Sequence, residues 1–254
     1  MTKTSSLERM LDVFTLFSDE HASCTPERAA EALGTSRSTT YRYFKMLTDA
    51  GLLVLQARSS YVLGPAIIEC DRLIRHHDPL LEVSRPILRD LVARTDAEAL
   101  LARLYRDRVV CIHREFNPPG YEVTYERGRP MSLLRTATAR VMLAHLPARQ
   151  LRRLFEERQP EIRHSRLGNT WAKFAANLHA IREAGYCTLM DGVDEGFSGV
   201  AAAIIGPTGE ADSSLSLVLR TEVLRNRGDK QFASLVMRSA RMISAAMANP
   251  RAGR

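Results

Sequence analysis

The first third of the chain contains three short segments whose apolar residues recur at helical spacing. Ser5 and Glu8 form a capping box at the start of the first segment, and its apolar face consists of Leu7, Met10, Leu11, Phe14 and Phe17. Thr25 suits the N-cap of a second helix, and Gly34 suits its C-cap. After a tight turn, Ser36 is placed to cap a third helix. Two helices joined by a glycine-containing turn of this length are typical of a helix-turn-helix.

A β-hairpin is predicted directly after the third helix. Apolar residues 52–55 and 61–63 are separated by a polar segment, which is the pattern of two short strands joined at a tip. Gly64-Pro65 ends this hairpin, and a further helical segment follows it. We therefore expect a winged helix-turn-helix domain over residues 1–64, with the hairpin as its wing, and a linker helix over residues 65–79.

The remaining residues, 80–254, predict an α+β domain. Short turns join several of the predicted strands, which indicates an antiparallel sheet with helices packed on it. The predicted helices lie at about 80–94, 136–146, 148–158, 171–184 and 232–248, and the predicted strands at 99–105, 109–115, 121–126, 186–190, 200–205 and 214–219.

Composition narrows the class of protein. The chain has 254 residues, of which 45% are hydrophobic, and no apolar run approaches the ~20 residues of a membrane span. Its N-terminus lacks the apolar core of a signal peptide, so we expect a cytoplasmic protein without membrane partners. The four cysteines are widely scattered and predict buried thiols in a reducing compartment.

The net charge of +7 does not by itself identify a nucleic-acid site. Residues 1–78 carry nine Lys and Arg against ten Asp and Glu, whereas the rest of the chain carries 27 against 19. Local placement is more informative, since the third helix has an apolar stripe on one side and cations and hydroxyls on the other. We predict that this second side contacts DNA through Ser36, Arg37, Ser38, Thr39, Tyr41, Arg42 and Lys45, with Arg58 at the wing tip. An ordinary solvated helix face remains the alternative.

Several ordered motifs carry a family resemblance. They include Thr-Ser-Arg-Ser-Thr-Thr-Tyr-Arg at 35–42, Arg-Thr-Ala-Thr-Ala-Arg-Val-Met-Leu-Ala at 135–144 and Val-Ala-Ala-Ala-Ile at 200–204. In this order they resemble the isocitrate lyase regulator (IclR) family of bacterial transcription factors. The resemblance implies a GAF-like effector domain over residues 80–254. It also implies a dimer or tetramer on a palindromic double-stranded operator and a small organic acid as effector, often a catabolic intermediate.

The resemblance also implies an effector pocket. Its predicted lining is Met131, Leu134, Arg135, Thr136, Ala137, Asp191, Gly199, Val200, Ser216 and Val218. The sequence departs from the family where a histidine usually precedes the 136–139 run, and at Gly199, where many members carry cysteine. The extra room at Gly199 suggests a bulkier or more apolar ligand, an aromatic or acyl acid. The apolar members of the set would equally suit an ordinary core.

No catalytic, metal or cofactor site is predicted. Residues 196–200 resemble a nucleophile elbow, but the second glycine is misplaced, and neither a P-loop nor a dinucleotide-binding glycine pattern occurs. His76-His77 is an adjacent pair whose side chains point apart on a helix. A ligand-responsive DNA-binding regulator is therefore the leading interpretation. A sensor whose helix-turn-helix binds only protein and an enzyme built on the second domain are the alternatives.

Overall fold

The computed structural model describes residues 5–121 and 124–249, and the chain divides into two compact units, Met1–Asp78 and Pro79–Arg254. The described residues of the first unit form four α-helices, a two-stranded hairpin and two 3-10 turns, one of which extends the first helix and the other of which forms the hairpin tip. In chain order these are α1 (Ser6–Asp12), the 3-10 turn Val13–Leu16, α2 (Pro26–Leu33), α3 (Arg37–Asp49), β1 (Leu53–Leu55), the 3-10 turn Ala57–Ser59, β2 (Tyr61–Leu63) and α4 (Pro65–His77). The helix predicted after the hairpin is therefore present and belongs to the first unit.

Local capping explains where these helices begin and end. The capping box at Ser5 and Glu8 is present, because each side chain accepts a hydrogen bond from the other residue's backbone N–H. Thr25 caps α2, which ends at Gly34 in a left-handed conformation that glycine adopts without steric cost. Ser36 caps α3 by accepting from the Thr39 N–H at 3.2 Å. The three predicted helix starts are confirmed.

The core of the first unit fixes the orientation of α3. Phe44 and Leu47 of α3 are buried with Val13 and Leu53, and the Phe44 ring meets the Tyr61 ring edge-on at 4.8 Å. β1 and β2 pair antiparallel, so the predicted hairpin is confirmed. The buried side of α3 leaves its other side exposed.

The second unit is a six-stranded antiparallel sheet flanked by helices, as predicted for an α+β domain. The strand order is β5-β4-β3-β8-β7-β6. The strands are β3 (Glu98–Tyr105), β4 (Arg108–Glu115), β5 (Pro130–Met131), β6 (Cys187–Met190), β7 (Phe197–Ile204) and β8 (Ser213–Arg220). The helices are α5 (Pro79–Thr95), α6 (Ala137–Leu143), α7 (Ala148–Glu157), α8 (Gln159–Arg163), α9 (Trp171–Ala184), α10 (Thr221–Arg227) and α11 (Asp229–Ala248).

The two faces of the sheet have separate cores because side chains alternate along each strand. Val200 and Ala202 of β7 join the core beneath α5 and α11. Ala201 of the same strand packs on the opposite face with Ala137 of α6. Gly199 also lies on the α6 face, where a Cβ at this position would stand 3.6 Å from the Ala137 Cβ.

Some predicted elements differ in the structure. Helix α6 ends at Leu143 rather than near residue 146, because His145 and Leu146 form tight i to i+3 hydrogen bonds ahead of Pro147. The described residues of 121–126 form no strand, and Glu122 and Val123 lie outside the described residues. Helices α8 and α10 were not predicted. Among the described residues, no helix has the length and apolarity needed to cross a bilayer.

Candidate functional site

The exposed side of α3 is the candidate DNA-contacting face. Its buried side consists of Thr40, Tyr43, Phe44 and Leu47, while Arg37, Ser38, Tyr41, Arg42 and Lys45 are exposed. Arg37, Tyr41 and Lys45 follow one another at i, i+4 spacing and so lie along one line of the helix. The predicted set therefore shares one accessible surface, and its role in DNA contact stays a prediction.

The hydroxyls at the start of α3 are partly engaged with each other. The Ser36 hydroxyl accepts from the Thr39 N–H and donates to the Thr39 hydroxyl at 2.9 Å. Thr39 is half-buried, whereas Ser38 is exposed. Of the two hydroxyls predicted to reach base edges, Ser38 is therefore the more accessible.

An acidic group on this face was not predicted. The Tyr41 hydroxyl donates to Glu27 Oε1 of α2 at 2.5 Å. This hydrogen bond lowers the pKa of Glu27 and raises the pKa of Tyr41. Arg37 contributes in the same direction to the Glu27 pKa, so the carboxylate remains ionised beside the cations. The two residues are 14 positions apart, and no sequence pattern indicated the pair.

The predicted wing is present as the β1–β2 hairpin. The hairpin tip is a 3-10 turn, Ala57–Ser59, with Ser59 in the left-handed region at φ 58°. The side chain of Arg58 lies outside the described part of the structure. Its insertion into a minor groove stays a prediction.

A cavity of about 50 Å³ lies in the second unit between α6 and the sheet, and we call it the effector cavity. Seven of the ten predicted pocket residues line it: Met131, Arg135, Thr136, Ala137, Gly199, Ser216 and Val218. The sequence did not indicate its other lining residues, which are Leu100, Tyr125, Thr138, Leu189, Gly192, Val193, Asp194, Phe197 and Ser198. The cavity therefore has a largely apolar wall with a few polar groups.

Three predicted pocket residues lie elsewhere. Leu134 is buried in the core beneath α6 and α9. Val200 faces the opposite side of the sheet, because it follows Gly199 in a strand and successive side chains alternate. Asp191 does not line the cavity, and its carboxylate accepts hydrogen bonds from the Thr221 hydroxyl at 2.8 Å and the Gly196 N–H at 3.1 Å. These three residues do not line this cavity, and their part in effector binding stays a prediction.

The polar groups around the effector cavity differ in how far their hydrogen-bonding capacity is already used by other protein groups. The Thr136 hydroxyl is committed to capping α6, since it accepts from the Ala139 N–H and donates to the Ser132 carbonyl. The Ser216 hydroxyl accepts from the Thr138 hydroxyl at 3.0 Å and keeps its own proton for another acceptor. Arg135 is exposed and makes one long contact, from Nη2 to the Gly192 carbonyl at 3.3 Å.

Tyr125 also lines this cavity. Burial raises the pKa of its hydroxyl to about 12, so the group stays protonated at neutral pH. Nearby, the Asp194 carboxylate accepts from the Thr124 N–H at 3.0 Å and from the Thr124 hydroxyl. This pairing ties the 191–196 loop to the segment that carries Tyr125. Among the described residues, no group of three His, Cys, Asp or Glu side chains could hold a metal ion.

Two family models match the chain. The model described as the IclR helix-turn-helix domain matches residues 6–57, and the model described as the bacterial transcriptional regulator IclR C-terminal domain matches residues 73–245. Together they span both units of the structure and include α3 and the effector cavity.

Curated relatives are HTH-type transcriptional regulators. BhcR of Paracoccus denitrificans is 24% identical over 244 residues, which cover 96% of this chain and 87% of BhcR. TtgV of Pseudomonas putida is 27% identical over 164 residues, and that match covers 64% of this chain but only 61% of the length of TtgV.

Solved structures share the fold. The IclR transcriptional regulator of Alicyclobacillus acidocaldarius superposes with a TM-score of 0.78 at 23% identity, covering 95% of this chain and 98% of that one. An IclR homologue from Microbacterium hydrocarbonoxydans complexed with 4-hydroxybenzoate superposes with a TM-score of 0.73 at 17% identity, covering 96% and 99%.

Proposed function

The chain belongs to the IclR family of bacterial transcriptional regulators, and we propose that it controls a catabolic operon in response to a small organic acid. It is a DNA-binding regulator with an effector-binding domain and not an enzyme. One observation supports the proposed DNA surface above the others. The side of α3 opposite its buried residues exposes three cations, Arg37, Arg42 and Lys45, beside a β-hairpin wing.

The proposed DNA contacts divide into two kinds. Arg37, Arg42 and Lys45 would neutralise phosphates, which contributes affinity to every sequence. Ser38, exposed near the helix N-terminus, would reach base edges and contribute sequence preference. Arg58 at the wing tip would enter the adjacent minor groove.

We further propose that the regulator acts as a dimer or tetramer on a palindromic operator. One winged helix offers few base contacts, and joining copies by symmetry multiplies them. Helix α4 carries exposed apolar residues that suit such an interface, namely Ile68, Leu73 and Ile74, with Ile68 at 70% exposed. An isolated apolar face of this kind is costly to leave in water.

The composition of the effector cavity supports an acid with an apolar body. Leu100, Phe197 and Val218 offer apolar contact, while Arg135 and Ser216 offer donors to a carboxylate. The 4-hydroxybenzoate complex of the Microbacterium homologue is a precedent in this fold for an aromatic acid. A cavity of about 50 Å³ is smaller than the roughly 150 Å³ of a cavity that admits benzene. An aromatic or acyl acid would therefore require the Phe197 side chain or the 191–196 loop to shift outward.

Fluorescence anisotropy with DNA enriched from a random duplex pool tests both parts of the proposal. We expect nanomolar binding to the enriched duplex with a steep dependence on salt, and a shift in affinity when an acid from a panel that includes 4-hydroxybenzoate is added. Failure to enrich any sequence would refute the DNA surface. Enrichment without a response to any acid would refute the effector assignment alone.

A further inference from the structure

A second cavity in the Pro79–Arg254 unit is built around a buried arginine, and we call it the Arg140 cavity. Its volume is about 320 Å³, and its wall includes Arg140, Arg166 and His164. It lies beside the effector cavity, with which it shares Arg135, Leu189 and Gly192 as lining residues. Three arginines, Arg135, Arg140 and Arg166, therefore line one space.

Arg140 lies in the middle of α6 and is only 7% exposed. Its Nε donates to the Leu134 carbonyl at 2.9 Å, and its Nη2 donates to the Ser165 carbonyl. Both acceptors are neutral. In the part of the chain that the structure describes, no carboxylate lies within ion-pair distance of Arg140. A buried charge without an ionic partner is costly, so native structures nearly always pair one.

The surroundings of Arg140 add positive charge instead of cancelling it. Burial, the largest effect, lowers the pKa of Arg140; the Cys187 side chain raises this pKa, and the nearby charge of Arg166 lowers it. The Cys187 thiol contacts the guanidinium, but burial raises the pKa of this thiol to about 11. The thiol is therefore neutral at physiological pH and supplies no counter-charge.

The acidic residue on the cavity wall, Asp191, already has hydrogen-bond and ion-pair partners. Asp191 accepts from the Thr221 hydroxyl and the Gly196 N–H, and it lies 3.6 Å from Arg225 Nη2, an arginine outside the cavity wall. Its charge is thus shared with a fourth arginine. The space between Arg140 and Arg166 keeps an excess of positive charge next to a desolvated guanidinium.

We propose that the Arg140 cavity is an anion-binding site that takes a small dianionic oxyanion, either a phosphate group or a dicarboxylate. Guanidinium groups donate parallel pairs of N–H bonds that match both kinds of oxyanion. Two carbonyls hold the Arg140 fork in place, so little conformational entropy is lost when an anion binds. The site adjoins the effector cavity and shares three lining residues with it, but its test does not depend on the proposed effector or on DNA binding.

Isothermal titration calorimetry of the full chain tests this site, with sodium phosphate in one arm and sodium succinate in the other at constant ionic strength. We expect saturable binding of at least one anion with one site per chain. Arg166→Gln should weaken it about tenfold, because it removes one charge-assisted contact at an exposed position that the fold does not need. Arg163→Gln is the matched control, since Arg163 is exposed three residues away but does not line the cavity. It should leave the Kd unchanged.

Three results would overturn the proposal. One is the absence of saturable heat with both anions up to about 10 mM. Another is equal weakening by Arg163→Gln and Arg166→Gln, which would indicate general surface attraction. The third is an unchanged Kd in Arg166→Gln, since Arg166 lines the Arg140 cavity. None of these measurements uses DNA, so the anion-site proposal can be refuted without refuting the proposed regulatory function.

Discussion

Gly199→Leu is the sharpest test of the effector cavity. Gly199 lies on the α6 face of β7, and its φ is not in the left-handed region, so a side chain brings no backbone strain. A Cβ there would stand 3.6 Å from the Ala137 Cβ, which is an ordinary van der Waals contact. The three further carbons of leucine would extend into this cavity, whose volume is about 50 Å³. Leucine should therefore fill the cavity.

The expected cost to folding is small because the added atoms occupy existing space. Overpacking a dense core costs roughly 1–3 kcal/mol, and we expect the lower end, about 1 kcal/mol. That corresponds to a fall in Tm of about 2–4 °C for a unit of this size. Gly199→Ala is the matched control, since it adds only the Cβ and should keep both the Tm and the ligand response.

The assay is anisotropy of an enriched operator duplex titrated with whichever acid shifts the wild-type affinity. Gly199→Leu should bind the duplex with wild-type affinity but lose the response to the acid, because the residues proposed to contact DNA belong to a different unit with its own core. A folded Gly199→Leu protein that responds at the wild-type acid concentration would refute the assignment of this cavity to the effector.

Three further predictions concern the first unit. Arg42→Ala and Lys45→Ala should each lower the slope of log affinity against log salt by about 0.9 for every phosphate that is no longer neutralised. Arg72→Ala on α4 is the control and should leave this slope unchanged. Equal slopes in all three variants would refute the assignment of DNA contact to the α3 face. Glu27→Gln should tighten binding to any duplex about twofold per subunit at low salt. The change removes a carboxylate beside the cations but keeps an acceptor for the Tyr41 hydroxyl, so weaker binding would contradict this reasoning. Ile68→Asp should lower the mass measured by light scattering at micromolar concentration, and an unchanged mass would place the interface elsewhere.

Much of the first unit was predictable because its decisive interactions are local. The caps at Ser5, Thr25 and Ser36 each join groups three residues apart, so the residue types alone indicate them. The buried and exposed sides of α3 follow from the 3.6-residue period. In contrast, the Glu27–Tyr41 hydrogen bond joins two helices and needs their packing to be known.

The effector cavity was predicted only in part. Placing both Gly199 and Val200 in it conflicts with the two-residue period of a strand, and this error was avoidable from the sequence. The displacement of Asp191 was not avoidable, because its partner Thr221 is 30 residues away. Tyr125 joins the cavity from a segment without regular structure, and no periodic pattern indicates such a position.

The sequence by itself determined the starts of the first three helices, the α+β class of the second unit and the family, because each depends on residue order and short-range contacts. Tertiary structure alone decided which side chains converge on a cavity. The Thr138–Ser216 hydrogen bond spans 78 positions, and Arg140 reaches a carbonyl 25 positions away. Whether a buried guanidinium meets a carboxylate or an open space depends on how distant segments pack, which local propensity does not encode.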